Sequence, residues 1–169
     1  TGVVYRSTDN GSSWTNAQVE PYDGSTAIFK YAAAGNGLFI ISDQYGQTWE
    51  SVDDGANWQL AANVGLGVGG PKYIAQDLVF KNGKFLMPVQ DSPLDDSTSL
   101  NKIFVTNANV AQSSTSAVTT WTESDTLPHT GPYKVTGMQG TFVGITANGE
   151  TAYSYDGISW KQLTGTLSG

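Results

Sequence analysis

Hydrophobic and aromatic residues occur along the chain in short runs, separated by clusters of Gly, Ser, Thr, Asn and Asp. No apolar run has the period of a helix, and 20 of the 169 residues are glycine. Short runs bounded by turn residues are typical of β-strands joined by tight turns. The pattern therefore predicts an all-β chain with almost no helix.

One turn sequence is repeated within this pattern. Ser-x-Asp-x-Gly-x-x-Trp occupies residues 7–14 and 51–58, and a copy one residue shorter occupies 154–160. In such a turn the Ser hydroxyl and Asp carboxylate are expected to bond backbone groups, Gly supplies a positive φ, and Trp closes the turn. The residues predicted to hold the three turns are Ser7, Asp9, Gly11, Trp14, Ser51, Asp53, Gly55, Trp58, Ser154, Asp156, Gly157 and Trp160.

A second landmark accompanies the repeated turn. Asn-Gly-Leu-Phe at 36–39, Asn-Gly-Lys-Phe at 82–85 and Gln-Gly-Thr-Phe at 139–142 share a two-residue turn followed, after one residue, by Phe. In the first and third copies this Phe lies twelve residues before the Ser of the next repeated turn. The repeating unit is therefore predicted to contain four strands in roughly forty residues.

These landmarks predict a single domain, or part of one, over residues 1–169. Residues 1–20 supply half a unit, 26–62 and 132–165 supply whole units, and 72–124 supplies an irregular one. Because the first unit lacks two strands, we expect the chain to be a fragment of a longer one. The predicted strands are 3–7 and 13–19; 27–33, 38–42, 47–52 and 57–61; 73–80, 84–89, 102–106 and 119–123; and 133–138, 141–146, 151–155 and 159–163.

The third unit departs from the repeat at its turn. Thr106-Asn107 occupies the start of the turn sequence, but Gly is missing and the turn extends over 110–119 before Trp121. The preceding loop, 90–101, is also enlarged. Retention of Trp121 suggests that the packing role of Trp persists where the loop role of Asp is lost.

Trp49 is the one tryptophan outside the repeated turn, and it invites a sugar-stacking role. The repeat places it two residues before the turn Ser, where the other units have Tyr5, Phe104 and Ala152. A position that is aromatic in three units is best explained by packing between units. We therefore predict a structural role for Trp49.

The repeated turn resembles the Asp-box, or bacterial neuraminidase repeat, of β-propellers in sialidases, some xyloglucan-cleaving glycosidases, sorting receptors and bacteriophage tail proteins. The resemblance implies an all-β fold, a β-propeller segment of four-stranded antiparallel blades with Asp-box hairpins. About three and a half such blades fit in this chain. The resemblance does not imply an activity, because one propeller scaffold carries many functions.

Composition narrows the partners and the chemistry. A net charge of −7, a pI near 4.4 and eight scattered Lys and Arg residues argue against nucleic-acid binding. No stretch approaches the ~20 apolar residues of a membrane span, so no membrane insertion is predicted. The chain has no Cys, which excludes a thiolate nucleophile and a sulfur-ligated metal. We expect no cofactor.

Enzymatic activity has little support in the sequence. The resemblance implies that a sialidase would clamp its substrate with three arginines, and this chain has only Arg6, at a variable strand position that suits an exposed side chain. A glycosidase needs two converging carboxylates. Asp9, Asp53 and Asp156 are assigned to turns, and spacing identifies no other pair.

Two further polar features have structural explanations. Asp91, Asp95 and Asp96 offer oxygen ligands for calcium, but their loop lacks EF-hand spacing, so we expect a solvated acidic loop and no metal site. His129, the only histidine, lies between Pro128 and Pro132 and is expected in a rigid, exposed loop.

A ligand would bind, in propellers of this type, at the face opposite the Asp-boxes. That face carries the loops between blades and those between second and third strands. Its polar and aromatic residues suit sugar hydroxyls and ring stacking, although surface solubility explains most of them equally well. The candidate ligand-binding residues are Tyr22, Asp23, Asp43, Tyr45, Asp95, Asp96 and His129.

The resemblance and the acidic, Ser/Thr/Gly-rich composition indicate a non-catalytic structural or adhesion module of a virion, such as a phage tail fibre, tail spike or head decoration. We expect it to act in the virion or outside the cell, binding a host-surface glycan or a neighbouring virion protein through the face with loop 90–101. The alternative is a fragment of a secreted glycoside hydrolase whose catalytic residues lie partly outside this chain.

Overall fold

The computed structural model describes residues 2–20, 28–63, 66–67, 70–71, 73–91, 101–107, 120–125, 127–129 and 133–164. Within these ranges every regular element is a β-strand, so no described helix is long and apolar enough to cross a membrane. The strands form several small antiparallel sheets. The prediction of an all-β chain is confirmed.

The first two sheets differ in size. The first is a hairpin of β1 (Gly2–Arg6) and β2 (Thr15–Val19). The second sheet has four strands in chain order, and its strands are β3 (Phe29–Gly35), β4 (Leu38–Asp43), β5 (Gln47–Ser51) and β6 (Gln59–Asn63).

The connection after the second sheet contains a short hairpin that the sequence did not predict. It pairs β7 (Leu66–Gly67) with β8 (Gly70–Pro71). The sequence pattern predicts no strand between residues 61 and 73. A two-residue pairing satisfies part of the backbone even where the side chains give no strand pattern.

The third sheet has five strands. Four lie in the order β10-β11-β12-β13, and β9 also pairs with β11. The prediction of one strand over 73–80 is therefore wrong, because it is broken into two. The strands are β9 (Tyr73–Ala75), β10 (Val79–Lys81), β11 (Lys84–Asp91), β12 (Lys102–Asn107) and β13 (Thr122–Glu123).

Pro88 in β11 accounts for the break. Between the paired segments, residues 76–78 lie opposite only residues 87–88, which is the extra residue of a β-bulge. Proline has no N–H to donate to the ladder, so pairing is weakest at this point. The Pro88 carbonyl still accepts a hydrogen bond from the Gln76 N–H at 2.8 Å.

The fourth sheet again has four strands in chain order. The predicted strands 133–138 and 141–146 are confirmed, and the last two strands are shorter than predicted because the turn occupies more residues. The strands are β14 (Tyr133–Met138), β15 (Thr141–Thr146), β16 (Thr151–Ser154) and β17 (Lys161–Gln162).

The first hairpin of each later sheet has the same two-residue turn. In every case the first turn residue has φ of 51° or 52° and the following Gly has φ of 75° to 80°. Positive φ at both positions defines the type I′ turn, which Asn-Gly favours because its twist matches the strands. The three turns are Asn36-Gly37, Asn82-Gly83 and Gln139-Gly140.

The hydrophobic cores lie between successive sheets. The second and third sheets each bury one set of alternate residues against the sheet before and the other set against the sheet after. The sheets are therefore stacked in chain order, and the described residues form no closed ring. The three cores centre on Val19, Ile41 and Trp49; on Leu38, Ile40, Phe85 and Met87; and on Leu86, Ile103, Val105, Tyr133 and Phe142.

Trp49 lies in the core between the first and second sheets. Its side chain is 1% exposed, and its ring meets that of Phe29 edge-on with centroids 5.2 Å apart. The indole Nε1–H donates to the Glu20 carbonyl at 2.9 Å. The predicted packing role of Trp49 is confirmed.

Replacement of Trp49 should be strongly destabilising. Trp49→Ala leaves a cavity between two sheets, so we expect the free energy of unfolding to fall by about 3 to 5 kcal/mol. Met138→Ala is the control, because Met138 is 74% exposed and its truncation opens no cavity. Urea denaturation measures both, and equal losses in the two variants would contradict the assignment.

Candidate functional site

The first repeated turn is held by side-chain hydrogen bonds. The Ser7 hydroxyl donates to Asp9 Oδ1 at 2.8 Å and accepts from the Gly11 N–H at 2.7 Å. Asp9 Oδ1 also accepts from the Ser13 N–H at 2.8 Å. The Trp14 indole N–H donates to the Gly11 carbonyl at 3.1 Å. Ser and Asp thus take the place of backbone partners that the turn lacks.

The second turn repeats this arrangement closely. The Ser51 hydroxyl donates to Asp53 Oδ1 at 2.8 Å and accepts from the Gly55 N–H at 2.9 Å. Asp53 accepts from the Asn57 N–H at 2.9 Å and from the Asn57 side chain at 2.7 Å. The Trp58 indole N–H donates to the Gly55 carbonyl at 3.1 Å.

The shorter third turn preserves the same roles. The Ser154 hydroxyl donates to Asp156 Oδ1 at 2.9 Å and accepts from the Gly157 N–H at 2.8 Å. Asp156 Oδ1 accepts from the Ser159 N–H at 2.8 Å, and the Trp160 indole N–H donates to the Gly157 carbonyl at 2.8 Å. The loss of one residue therefore leaves the side-chain hydrogen bonds in place.

Trp121 of the irregular third unit shows what the turn Gly contributes. Its ring packs against the core between the second and third sheets, but its indole N–H has no hydrogen-bond partner among the residues that the structure describes. In the other three units the acceptor is the carbonyl of the turn Gly. Where that Gly is missing, the packing of the Trp ring remains, and the described residues offer no equivalent acceptor.

The turn carboxyls are held in their ionised form. Hydrogen bonds from Ser13 and Ser7 lower the pKa of Asp9 to about 2. Burial raises the pKa of Asp53, but hydrogen bonds from Asn57 and Ser51 outweigh it and hold the pKa at about 2. The pKa of Asp156 is lowered in the same way. A glycosidase acid needs a raised pKa, so these carboxyls are unsuited to that role.

Asp43 and Tyr45, two of the candidate ligand-binding residues, lie in the turn between β4 and β5. The Asp43 side chain is buried, and its Oδ1 accepts from the N–H groups of Tyr45 at 2.8 Å and Gln47 at 2.9 Å. Tyr45 is partly exposed. Asp43 therefore stabilises its own turn, and Tyr45 is the member of this pair that presents its ring to solvent.

His129 is not the exposed loop residue that the sequence predicted. Its side chain is only 9% exposed, with Nδ1 3.5 Å from Glu150 Oε1 and Nε2 3.3 Å from the Thr151 carbonyl. The backbone N–H of His129 donates to the Tyr133 hydroxyl at 3.2 Å. Burial raises the pKa of Tyr133 to about 12, which keeps that hydroxyl neutral. Through its contacts with Glu150 and Thr151, the histidine links its loop to the turn between β15 and β16.

The structure does not assemble the candidate residues into one described group. Asp43 Oδ1 accepts two hydrogen bonds within its own turn, whereas His129 Nε2 lies against the Thr151 carbonyl of the fourth sheet. Among the described residues, no three His, Asp or Glu side chains are grouped so as to hold a metal ion. The remaining candidates, Tyr22, Asp23, Asp95 and Asp96, lie outside the described residues.

Arg6 also departs from its predicted exposure. It is half-buried, and one guanidinium nitrogen donates to the carbonyls of Asp53 and Asp54, each at 3.2 Å. These carbonyls belong to the turn of the next sheet. The only arginine of the chain therefore joins the first sheet to the second, a role that repeat alignment does not reveal because the partner comes from another unit.

An open groove is the feature that sequence reasoning missed. In the described structure β1 has a strand partner only on one edge, whereas the next sheet has four strands. The groove has a volume of about 660 Å³ and lies between β1 and the strands β3 and β4. Its walls include Tyr5, Arg6, Trp14, Ala32, Ala34 and Phe39.

The groove occupies the place where two inner strands would complete the first sheet. In the fourth sheet that place is filled by β14 and β15, which precede β16 and β17 in the order of the sheet. The half unit at 1–20 was the available sequence signal, since a sheet without its first two strands leaves the neighbouring sheet partly uncovered.

No protein-family model matches the chain, and no curated protein matches it.

The stability of the second turn should depend on pH. Asp53 has an ordinary pKa of 3.8 and a folded value of about 2. Because the folded pKa is the lower one, its stabilising contribution is complete above about pH 4 and is lost as the pH falls towards 2. Asp53→Asn should therefore reduce the slope of the free energy of unfolding against pH in this window, as measured by urea denaturation.

Asp54→Asn is the matched control, because the described hydrogen bonds of the turn are accepted by the carboxylate of Asp53. This variant should keep the wild-type slope. A slope in Asp53→Asn that equals that of the wild-type protein would contradict the assigned role.

Proposed function

We propose that the chain is a segment of a β-propeller with Asp-box blades, and that it is a non-catalytic structural and adhesion module of a virion. The proposed module is of the kind found in tail fibres, tail spikes and head decorations that carry similar repeats. The stacked four-stranded sheets and the three similar turns support the propeller part of the proposal. Its partner is a neighbouring protein that fills the open groove.

The observation that carries the proposal is the groove beside β1. One wall is a strand edge, whose backbone N–H and C=O groups recognise another strand by pairing with it. The opposite wall is the face of β3 and β4, where Ala32 and Ala34 leave space for larger side chains. A β-hairpin with one apolar face meets both requirements, because it offers backbone pairing and side chains that fill the space.

A protein partner fits the described residues better than a glycan. Sugar binding needs polar groups free to bond hydroxyls, whereas Asp43 and His129 direct their side chains to the protein's own backbone and to Glu150. The groove, in contrast, is lined mainly by apolar side chains. We therefore propose a neighbouring protein, in preference to a glycan, as the partner of this module.

The non-catalytic part of the proposal rests on how the repeat uses its functional groups. The Asp9, Asp53 and Asp156 carboxylates accept turn hydrogen bonds, and their pKa values are lowered. Arg6 holds the neighbouring turn instead of pointing to a substrate. These groups stabilise the scaffold, which is the requirement for a structural module.

A peptide test addresses the groove directly. The probe is a labelled peptide with the sequence of residues 133–146, the hairpin that fills the equivalent place in the fourth sheet. We expect fluorescence anisotropy to detect its binding to the full chain, and hydrogen exchange to show new protection of the β1 amides. Ala34→Arg should weaken binding at least about tenfold, because the charge would be buried against the peptide.

Ala147→Arg is the control, since it adds the same charge at an exposed turn outside the groove. It should bind the peptide as the wild-type chain does. Failure of the wild-type chain to bind, or equal binding by Ala34→Arg, would remove the groove from the proposal. The virion assignment is tested separately by genomic context: a cellular neighbourhood without tail or capsid genes would count against it.

A further inference from the structure

The outer face of the fourth sheet exposes apolar residues at positions that are buried elsewhere in the repeat. Val143 directly follows the landmark Phe, and it is 38% exposed, whereas Ile40 and Leu86 at the same repeat position are both 0% exposed. Ile145, two residues further along β15 on the same face, is 46% exposed. In the second and third sheets this position packs against the sheet that follows.

The first hairpin exposes the complementary set. Tyr5 is 63% exposed, whereas Trp49, Phe104 and Ala152 at the same repeat position are between 0% and 7% exposed. In the three later sheets these residues pack against the sheet that precedes them. Trp14 follows the same rule, since it is 61% exposed although its third-turn equivalent, Trp160, is 7% exposed.

The turn glycines show the same difference. Gly55 and Gly157 are buried, and a Cβ on Gly157 would lie 3.2 Å from Val105 of the preceding sheet. A Cβ on Gly55 would lie 3.9 Å from Arg6, which has the same repeat position as Val105. Gly11 is exposed, and a Cβ there would meet only the Trp14 ring.

We infer that the outer face of the fourth sheet binds the first hairpin of a second copy of this chain, head to tail. In this contact Val143 and Ile145 of one copy cover Tyr5 and Trp14 of the next. Tyr153, which has the repeat position of Arg6 and Val105, would lie over Gly11 of the second copy. The contact continues the interface that already joins each sheet to the next.

A second copy is the occupant because the two exposed faces are of opposite kinds. The fourth sheet presents the face that elsewhere packs on a following sheet, and the first hairpin presents the face that elsewhere packs on a preceding one. Such a contact is heterologous, so it generates a ring or an open chain of copies and not a symmetric pair. Tyr5 and Trp14 also line the groove beside β1, whereas Val143 and Ile145 do not, so Ile145→Arg tests this contact separately from the proposed partner of the groove.

The heterologous contact allows each side to be blocked separately. Ile145→Arg blocks the outer face of the fourth sheet, and Tyr5→Arg blocks the first hairpin. We expect the wild-type chain to self-associate between about 1 µM and 1 mM in sedimentation velocity. Each variant alone should associate at least about tenfold more weakly, because the arginine would be placed in an apolar contact. An equimolar mixture of the two should form one-to-one complexes through the remaining intact pair of faces.

Ala147→Arg, at the exposed turn between β15 and β16, adds the same charge outside both faces and should associate as the wild-type chain does. Unchanged near-ultraviolet circular dichroism of each variant shows that it is folded. A monomeric wild-type chain over the whole range would overturn the inference and leave these faces to another protein. Undiminished association of either variant alone would also overturn it, because it would show that the substituted face takes no part in the contact.

Discussion

Apolar contact between the faces of neighbouring sheets is the interaction on which the rest of this structure depends. A four-stranded sheet has two faces, and its own strands cover neither of them. Ile40 and Leu86 are fully buried because another sheet follows theirs. The described residues include no sheet after the fourth, and the equivalent Val143 is exposed there. An apolar residue at this repeat position therefore stabilises the fold where a sheet covers it and forms an interaction surface where none does.

The repeated turns make this stacking regular. Ser and Asp side chains supply the hydrogen bonds of each turn, so that the turn keeps one shape although the strands around it differ. The preceding sheet then contacts that shape, through Arg6 at the second turn and Val105 at the fourth sheet. A local hydrogen-bond network thus provides a surface for long-range packing. This explains why polar turn residues matter to an interface that is mainly apolar.

The first hairpin shows the consequence of an incomplete sheet. It covers only part of the second sheet, with Val19 and Val4 against Trp49, and leaves the groove over Ala32 and Ala34. An unpaired strand edge beside an apolar wall is a surface that other strands bind readily. The proposed protein partner and the proposed second copy would each cover surface that the described sheets leave exposed.

The sequence by itself determined most of the strands, the two-residue turns and the hydrogen bonds of the repeated turns, because all of these depend on residues within a few positions of one another. Repeat alignment also identified Trp49 as a packing residue. Only the tertiary structure decided the contact of Arg6 with the next turn, the burial of His129 and the groove beside β1. These features arise between segments that lie far apart or in different sheets, and local spacing carries no information about which of them meet.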